Sequence, residues 1–411
     1  MTSAESPNPT RSWNRLDGVD VLRGLAIFFV LMNHVNMRLR IAGVPYARGL
    51  PEQLVSSLVW NGQFGVQIFF AVSGFLIAST TIRRWGSLSQ VSIRDFYLLR
   101  FARIAPLFIS LIGVLSVLDL IHLKYFIISP KTGGLGDALI AALTFRVNVL
   151  EARHGYLPAS WDILWSLSVE EVFYLFFPLA CRLLGRGKLL IGFLVTFVLL
   201  GPFGRATLAA GNEVWKEYSY LGGMDAIALG CLTALLVSRT RFSRPALRTL
   251  TALGSGFLIL SLCFSMRVQS WGLGRNGLDM SILAAGTCMI IIAAAQTRWR
   301  SPRVVSPMLN LGERSYEIYL THMFVVFALF QLFLAAGKPM KAVPVLFAAA
   351  ILISGFLGAV VAKFYSEPMN RMLRNRFGDG PHKLGSVLED PPDRERPKEQ
   401  LASVIAKISR D

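Results

Sequence analysis

The chain has 411 residues, of which 53% are hydrophobic and only 16% are charged. A soluble protein of this length carries roughly a quarter charged residues, so the composition excludes an ordinary soluble globular protein. The net charge is +17, but the basic residues form short runs between apolar segments. That pattern is typical of loops that face the cytoplasm and anionic lipid, and it argues against a nucleic-acid partner. The four cysteines offer neither a disulfide framework nor a metal site.

The apolar segments predict an all-α fold, a polytopic integral membrane protein of about 10 transmembrane helices. Each segment is long enough to cross about 30 Å of hydrocarbon as a helix. They are 20–38, 64–82, 104–122, 164–184, 189–207, 219–237, 249–266, 279–296, 315–335 and 343–365. We predict a cytoplasmic N-terminal segment at 1–19, a transmembrane domain at 20–368 and a polar, disordered cytoplasmic tail at 369–411.

An eleventh apolar segment, 136–150, is short and contains Arg146 and Asn148. If it crossed the membrane, every later loop would change sides and the arginine-rich loops would fall outside, against the positive-inside rule. We therefore predict that it lies at, or dips into, the outer face and that both termini are cytoplasmic. The long outer loop that results, 123–163, is a suitable place to hold an acceptor substrate.

The first span contains the stretch RGLAIFFVLMNH, which begins with Arg23 and ends with His34, eleven residues later. Eleven residues return to the same helix face, about 16 Å further along the axis. Taken singly, Arg23 fits an interfacial anchor and His34 fits an interhelical hydrogen bond. Together on one face, they indicate a channel with a phosphate clamp at its mouth and a base at depth.

The second and third spans carry polar residues for which the sequence allows two roles each, one structural and one functional. Ser73 and Gly74 lie mid-span, where small residues let a neighbouring backbone approach, and packing is the favoured role. The third span opens RDFYLLRFARIAP, which places Arg100 and Arg103 on one helix face. The positive-inside rule accounts for much of this cluster, and its alternative use is to bind phosphate, which guanidinium groups suit.

The fourth span reads ASWDILWSLSVEEVFYLFFPL, with Ser166, Glu170 and Tyr174 recurring on one helix face. A carboxylate inside a span is costly unless it is paired. Glu170 is therefore either a structural partner of a buried arginine or tyrosine, or the group that orients His34. The sequence leaves both open.

The later spans add further buried polar groups. Asp225 lies in the sixth span as another intramembrane acid. Tyr316, Tyr319 and His322 in the ninth span follow one another at three-residue steps along a ridge. They either line the same cavity or tie helices together, and for His322 the structural role is slightly favoured.

Taken together, these stretches resemble the acyltransferase-3 family of bacterial integral-membrane O-acyltransferases. The matching pieces appear in the family's order and cover roughly residues 14–372. They are LDGVDVLRGLAIFFVLMNH, FGVQIFFAVSGFLIAS, RDFYLLRFARIAPLF, WSLSVEEVFYLFFPL, GGMDAIALG and ERSYEIYLTH. The opening LDGVDVLRG is two residues longer than the family's more common form, which leaves the Arg-x10-His element at Arg23 and His34 intact. With no room for an attached hydrolase-like domain after the tenth span, the resemblance implies the stand-alone type.

The resemblance implies transfer of an acyl group, acetyl foremost, from cytoplasmic acyl-CoA to a hydroxyl of a sugar, glycan or small molecule. It implies a multi-pass protein of the bacterial inner membrane, with acyl-CoA as a co-substrate and with no permanently bound cofactor or metal. It assigns catalysis to His34 and Glu170 and donor binding to Arg23, Arg100 and Arg103. The remaining cavity residues it implies are Ser73, Trp165, Ser166, Tyr174, Asp225, Tyr316, Tyr319 and His322.

A proton-coupled transporter or flippase is the alternative, because buried histidines, acids and arginines are also common in such carriers. Carriers often show internal repeats, and none is evident in this sequence. The Arg-x10-His element likewise favours the enzyme.

Overall fold

The computed structural model describes residues 16–185, 188–208, 211–297 and 299–377. This part of the chain is built from helices, with no β-strand in it. Ten helical segments within it are long and apolar enough to cross a membrane, which confirms the predicted fold class. Most of the predicted N-terminal segment 1–19, and the predicted tail beyond 377, lie outside the described residues. The cytoplasmic placement of both termini stays a prediction.

The helices of the described part follow one another along the chain. They are α1 (Asp17–Ile41), α2 (Glu52–Val59), α3 (Gly62–Trp85), α4 (Ile93–Leu120), α5 (Gly134–Leu143), α6 (Val147–His154), α7 (Ala159–Asp162), α8 (Leu164–Leu184), α9 (Leu189–Phe203), α10 (Glu213–Tyr218), α11 (Tyr220–Arg239), α12 (Arg244–Cys263), α13 (Ser265–Ser270), α14 (Leu278–Thr297), α15 (Ser306–Glu313), α16 (Ser315–Ala335), α17 (Val343–Val361) and α18 (Glu367–Arg376). We call the end of the bundle at which α1 begins the inner end, and the opposite end the outer end, after the predicted orientation.

The segment 136–150 does not form an eleventh span, as predicted. It is divided into α5 and α6, which have 10 and 8 residues and are too short to cross a membrane. Phe145 separates them in a left-handed backbone conformation with φ 55°. Asn148 is fully buried, and its side-chain amide donates to the carbonyl of Tyr218. The polar residues that made this segment a poor span therefore tie it to the rest of the bundle.

Close helix packing in the bundle depends on small residues. α3 packs along α11 with Gly74 directly against the carbonyl oxygen of Ile227, which a β-carbon at Gly74 would overlap. α1 meets α15 in the same way, where Gly24 lies against the carbonyl of Met308. The predicted close approach at Gly74 is confirmed, and small residues here serve the helix contacts that membrane proteins commonly use.

The third span begins earlier than predicted. α4 starts at Ile93, where the Ser92 hydroxyl accepts a hydrogen bond from the backbone N–H of Asp95. The predicted start at 104 was late because the charged residues before it interrupt the apolar run. Arg100 and Arg103 consequently lie inside the helix, about 10 and 15 Å from its first residue.

The last span continues into α18 through a wide helical turn at Ala362–Ser366. In this turn, the Tyr365 hydroxyl donates to the carbonyl of Pro106 on α4 at 3.2 Å. From there α18 packs back along α4. The predicted boundary between the transmembrane domain and its tail, at 368, therefore falls inside a packed helix.

We predict that Gly74→Ala lowers the stability of the bundle, because the added methyl group meets the backbone of α11 rather than a movable side chain. Overpacking of this kind costs about 1–3 kcal/mol. The measurement is the thermal unfolding midpoint of the full chain in detergent. Gly113→Ala is the matched control, since open space surrounds that position in α4, and it should leave the midpoint unchanged or slightly higher. Equal midpoints for the two variants would contradict the packing assignment.

Candidate active site

A cavity of about 790 Å³ lies in the inner half of the bundle, between α1, α3, α4, α8, α16 and α18. Its volume is in the range of small-molecule binding sites. The charged residues of its wall comprise seven arginines and three acids. They are Asp20, Arg23, Arg83, Arg84, Arg100, Arg103, Glu170, Glu171, Arg241 and Arg374. This excess of positive charge favours an anionic ligand.

The structure brings the three predicted donor-binding arginines to this cavity. Arg23 pairs with Asp20 at 3.0 Å, and Arg100 pairs with Glu171 at 2.8 Å. Arg103 has neither an ion pair nor a hydrogen bond within the described part of the chain. The charges of Arg23 and Arg100 both oppose its own, and the Glu317 carboxylate offsets part of this repulsion. A phosphate placed between them would relieve this repulsion and match the geometry of the guanidinium groups.

The deep end of the cavity is lined by five of the predicted polar residues, Ser73, Ser166, Glu170, Tyr316 and Tyr319. The hydroxyls of Ser166 and Tyr319 lie 2.7 Å apart, and that of Tyr319 also donates to the carbonyl of Ile163 at 3.0 Å. These hydrogen bonds join α16 to α8 and close the cavity on its outer side.

His34 lies just beyond this closed end and does not line the cavity, and neither does His322, which was predicted to do so. Its ring packs against that of His322, with the ring centroids 5.0 Å apart. His322 is fully buried, and its Nδ1 lies 2.7 Å from the carbonyl oxygen of Tyr319, to which it donates. This leaves Nε2 of a neutral His322 as an acceptor, and that atom is buried without a hydrogen-bond partner among the described residues. Tyr319, His322 and His34 thus form a continuous path outward from the cavity.

The pairing of Glu170 with His34 is not present in the structure: no hydrogen bond joins these two residues, both of which are described. Glu170 faces the cavity wall that also holds Ser73 and Arg100. The reason is the order of the helices, because α16 packs beside α1 whereas α8 packs mainly against α11, α6 and α9. Of the two roles that the sequence left open for Glu170, its surroundings favour the structural partner of a buried arginine.

Trp165 and Tyr174 were predicted to line the cavity, but the structure places both behind its wall. Trp165 stacks on Tyr218 with ring centroids 4.1 Å apart and ring planes 5° apart. Tyr174 lies under the guanidinium of Arg100, 3.8 Å from it, and its hydroxyl is 2.5 Å from that of Ser73. Tyr174 therefore supports two residues that do line the cavity.

Asp225 was also predicted to face the cavity and instead belongs to a separate buried network. It forms an ion pair with Arg205 at 2.8 Å and accepts hydrogen bonds from Ser281 at 2.7 Å and Gln67 at 3.0 Å. Arg205 lies in the predicted fifth span, whose apolar sequence gave no sign of a partner. These contacts satisfy the carboxylate, so its position favours a structural role.

A family model described as an acyltransferase domain, that of the acyltransferase-3 family, matches residues 16–364. The chain belongs to this acyltransferase family. The match confirms the resemblance drawn from the sequence and gives the transporter alternative no support. The matched range covers every predicted site residue, including those that the structure places away from the cavity.

Several relatives, including the following two, have names that state an activity. The O-acetyltransferase OatA of Staphylococcus aureus (strain NCTC 8325 / PS 47) is 24% identical over 384 residues, which cover 90% of this chain and 60% of that protein. The peptidoglycan O-acetyltransferase OatA of Listeria monocytogenes serovar 1/2a is 26% identical over 336 residues, 74% of this chain and 48% of that protein. The chain thus spans about 60% or less of the length of these two relatives. No solved structure matches the chain.

On the outer side of His34 lies a polar cluster that was not predicted from the sequence. Arg38, one turn beyond His34, lies close to Asp162, which accepts a hydrogen bond from the Tyr218 hydroxyl at 3.1 Å. Glu151 is fully buried beside Asp162 and accepts from the backbone N–H of Leu157 at 3.0 Å. Burial raises the pKa of Glu151 well above 4.5, and the adjacent Asp162 carboxylate raises it further. The sequence signal for this cluster was the presence of the acids Glu151 and Asp162 in the long loop 123–163.

The cavity is also lined by residues that were not predicted to belong to it. Arg83 and Arg241 belong to the arginine-rich segments between spans that were predicted to be inner loops, and Asn370 and Arg374 fall within the tail predicted at 369–411. Arg83 and Arg241 are exposed at the inner end, near the ends of α3 and α11. Asn370 and Arg374 could have been recognised from the sequence, because their four-residue spacing places them on one helix face.

We predict that Asp225→Ala destabilises the protein, because it leaves Arg205 charged and buried without its partner. Breaking one side of a buried ion pair costs about 3–5 kcal/mol. The measurements are the amount of folded protein in the membrane and its thermal unfolding midpoint. If the variant kept its stability and lost only acyl transfer, Asp225 would belong to the active site, as the sequence first indicated.

The raised pKa of Glu151 makes the stability of the outer loop depend on pH. A carboxyl whose pKa rises on folding contributes most stability below its unfolded value, and this contribution is lost as the pH rises through the folded value. We expect the midpoint of the wild-type protein to fall, relative to Glu151→Gln, as the pH rises above about 4.5. Glu52→Gln, at an exposed position, is the control. A constant difference between wild type and Glu151→Gln at every pH would refute the assignment.

Proposed function

We propose that this chain is a membrane O-acyltransferase that moves an acyl group, acetyl foremost, from acyl-CoA to a glycan hydroxyl. The observation that carries the proposal is the arginine-lined cavity whose closed end abuts the pair His34 and His322. Family membership and the names of the two relatives support the O-acetyl transfer and the glycan acceptor. The bacterial inner membrane is the location that fits such a donor and acceptor.

The inner cavity suits acyl-CoA as the donor. Coenzyme A combines phosphate groups at one end with a long, flexible arm that ends in the thioester. Arg103, with no ion pair or hydrogen bond in the described part of the chain, and the neighbouring Arg23 and Arg100 would bind the phosphates. The arm would then extend along the cavity toward Ser166 and Tyr319, which brings the thioester close to the two histidines.

The acceptor would approach His34 from the outer side, where the polar cluster of Arg38, Asp162 and Tyr218 lies. His34 would take the proton of the acceptor hydroxyl as the oxygen attacks the thioester carbonyl. The new C–O bond forms, the C–S bond breaks, and the coenzyme A thiolate leaves and is protonated. In a second route that the same geometry permits, a His34 nitrogen first accepts the acyl group and then passes it to the acceptor.

His322 would act on His34 rather than on the substrates. Its Nδ1 is held by the carbonyl of Tyr319, which fixes the ring and the tautomer. The free Nε2 acceptor beside His34 can hold a proton on the facing imidazole and so direct which nitrogen of His34 is basic. We assign His322 as a positioning residue on this basis.

We expect His34→Ala to abolish acyl transfer without loss of folded protein, because the base is removed and the cavity is left intact. The measurement compares, by mass spectrometry, the glycans of three bacterial strains: one that lacks the protein, one with it restored, and one with His34→Ala at matched membrane levels. An acyl-sized mass increase should appear only in the restored strain. His154→Ala, at an exposed histidine of the outer loop, is the control and should restore the mass increase.

Two outcomes would refute parts of this proposal. An acyl-sized increase in the His34→Ala strain would remove the catalytic role of that residue. If the purified chain acylated the glycan but released no thiol from acetyl-CoA, the assigned donor would be wrong. Intact-protein mass spectrometry of the enzyme mixed with acetyl-CoA alone separates the two routes, because only the covalent one adds an acetyl mass to the chain.

A further inference from the structure

The C-terminal helix α18 contributes to the cavity through one of its faces. Asn370 and Arg374 are four residues apart, lie on that face and line the cavity. Arg371 and Arg376, on the same helix, are exposed and do not line it. The two pairs of side chains are therefore in different environments although they are neighbours in the sequence.

Arg374 lies at the mouth of the cavity, nearer the inner end than Arg100 and Arg103 on α4. The hydroxyl of Tyr365 is fixed to α4 at Pro106, and α18 then packs back along α4. From Tyr365 to Arg374 the helix advances about 13 Å. This returns Arg374 to the level of the first turns of α4, whereas Arg103 lies about 15 Å inside that helix.

The polar groups that α18 presents to the cavity lack partners in the described part of the chain. Arg374 forms no ion pair and no hydrogen bond there. The Oδ1 atom of Asn370 is buried without a hydrogen bond. A buried polar atom that makes no hydrogen bond carries the cost of its lost hydration, so such atoms point to a ligand or water in the site. A guanidinium and an amide acceptor, side by side, suit a phosphate next to a hydroxyl.

We propose that Arg374 and Asn370 bind the adenosine 3′-phosphate end of the acyl-CoA donor; this inference rests on the proposed function. If the thioester reaches the deep end near Tyr319, the opposite end of coenzyme A lies at the inner mouth, where Arg374 is. The guanidinium binds the ribose 3′-phosphate through two N–H donors, and Asn370 Oδ1 accepts from the adjacent 2′-hydroxyl.

This assignment makes α18 a determinant of donor specificity. A thioester carried on protein-bound phosphopantetheine has the same acyl arm but no adenosine and no 3′-phosphate. It would lose the contacts with Arg374 and Asn370 and keep those of the deeper arginines. The helix therefore selects free coenzyme A thioesters over carrier-bound ones.

The test uses the full-length protein in phosphatidylcholine vesicles, with acetyl-CoA and acetyl-3′-dephospho-CoA as the two donors. For the wild type, the KM for the dephosphorylated donor should be about ten-fold higher, which is typical of one charge-assisted hydrogen-bonded contact. Arg374→Ala should raise the KM for acetyl-CoA about ten-fold and leave both the KM for the dephosphorylated donor and kcat unchanged. Arg371→Ala is the matched control and should leave both KM values unchanged.

Several results would overturn the inference. An equal rise in both KM values for Arg374→Ala would mean that the residue acts through the structure, and no rise would mean that it does not bind the donor. An effect that appeared only after anionic phosphatidylglycerol was added, and equally for both donors, would assign Arg374 to lipid headgroups. If the wild type transferred acetyl from neither donor, the proposed function would fail as well. Asn370→Ala should give a smaller rise that the removal of the 3′-phosphate does not abolish.

Discussion

The repulsion among Arg23, Arg100 and Arg103 must be balanced in every state of the protein, because the apolar helices around them keep the local dielectric low. Asp20 and Glu171 neutralise two of the three charges. The third, Arg103, forms no ion pair or hydrogen bond in the described part of the chain and is attracted by the Glu317 carboxylate, and the opening of the cavity toward the inner end gives it access to water. An anionic ligand would replace that water with charges already in place, so little reorganisation is needed on binding.

Helix α1 connects this charged cavity with the histidine pair. Because Arg23 and His34 share one face of a single helix, their separation of about 16 Å along the axis is fixed by helix geometry. Close contact at Gly24 with α15 holds the inner half of α1, and packing against α16 brings His34 to His322. The distance over which the proposed donor would extend is thus set by the geometry of α1.

Hydropathy and loop charge were sufficient to predict the spans and to exclude the segment 136–150, because lipid and the positive-inside rule act on local sequence. Helical spacing likewise placed Arg100 and Arg103 on one face. The neighbour of His34 was not predictable in this way, since it depends on which helix packs beside α1. Asp225 was misplaced for the same reason: its partner Arg205 lies on another helix, and the apolar sequence around that arginine gave no sign of the pairing.

The closed end of the cavity separates two polar regions that lie within one membrane protein. On the inner side are the arginines, and on the outer side are Arg38 and Asp162, with the hydrogen-bonded Ser166 and Tyr319 and the packed rings of His34 and His322 between them. A continuous aqueous path through this point would conduct protons and dissipate the membrane potential. In the proposed reaction, this compact wall would let an acyl group pass to the acceptor while the bilayer remains electrically sealed.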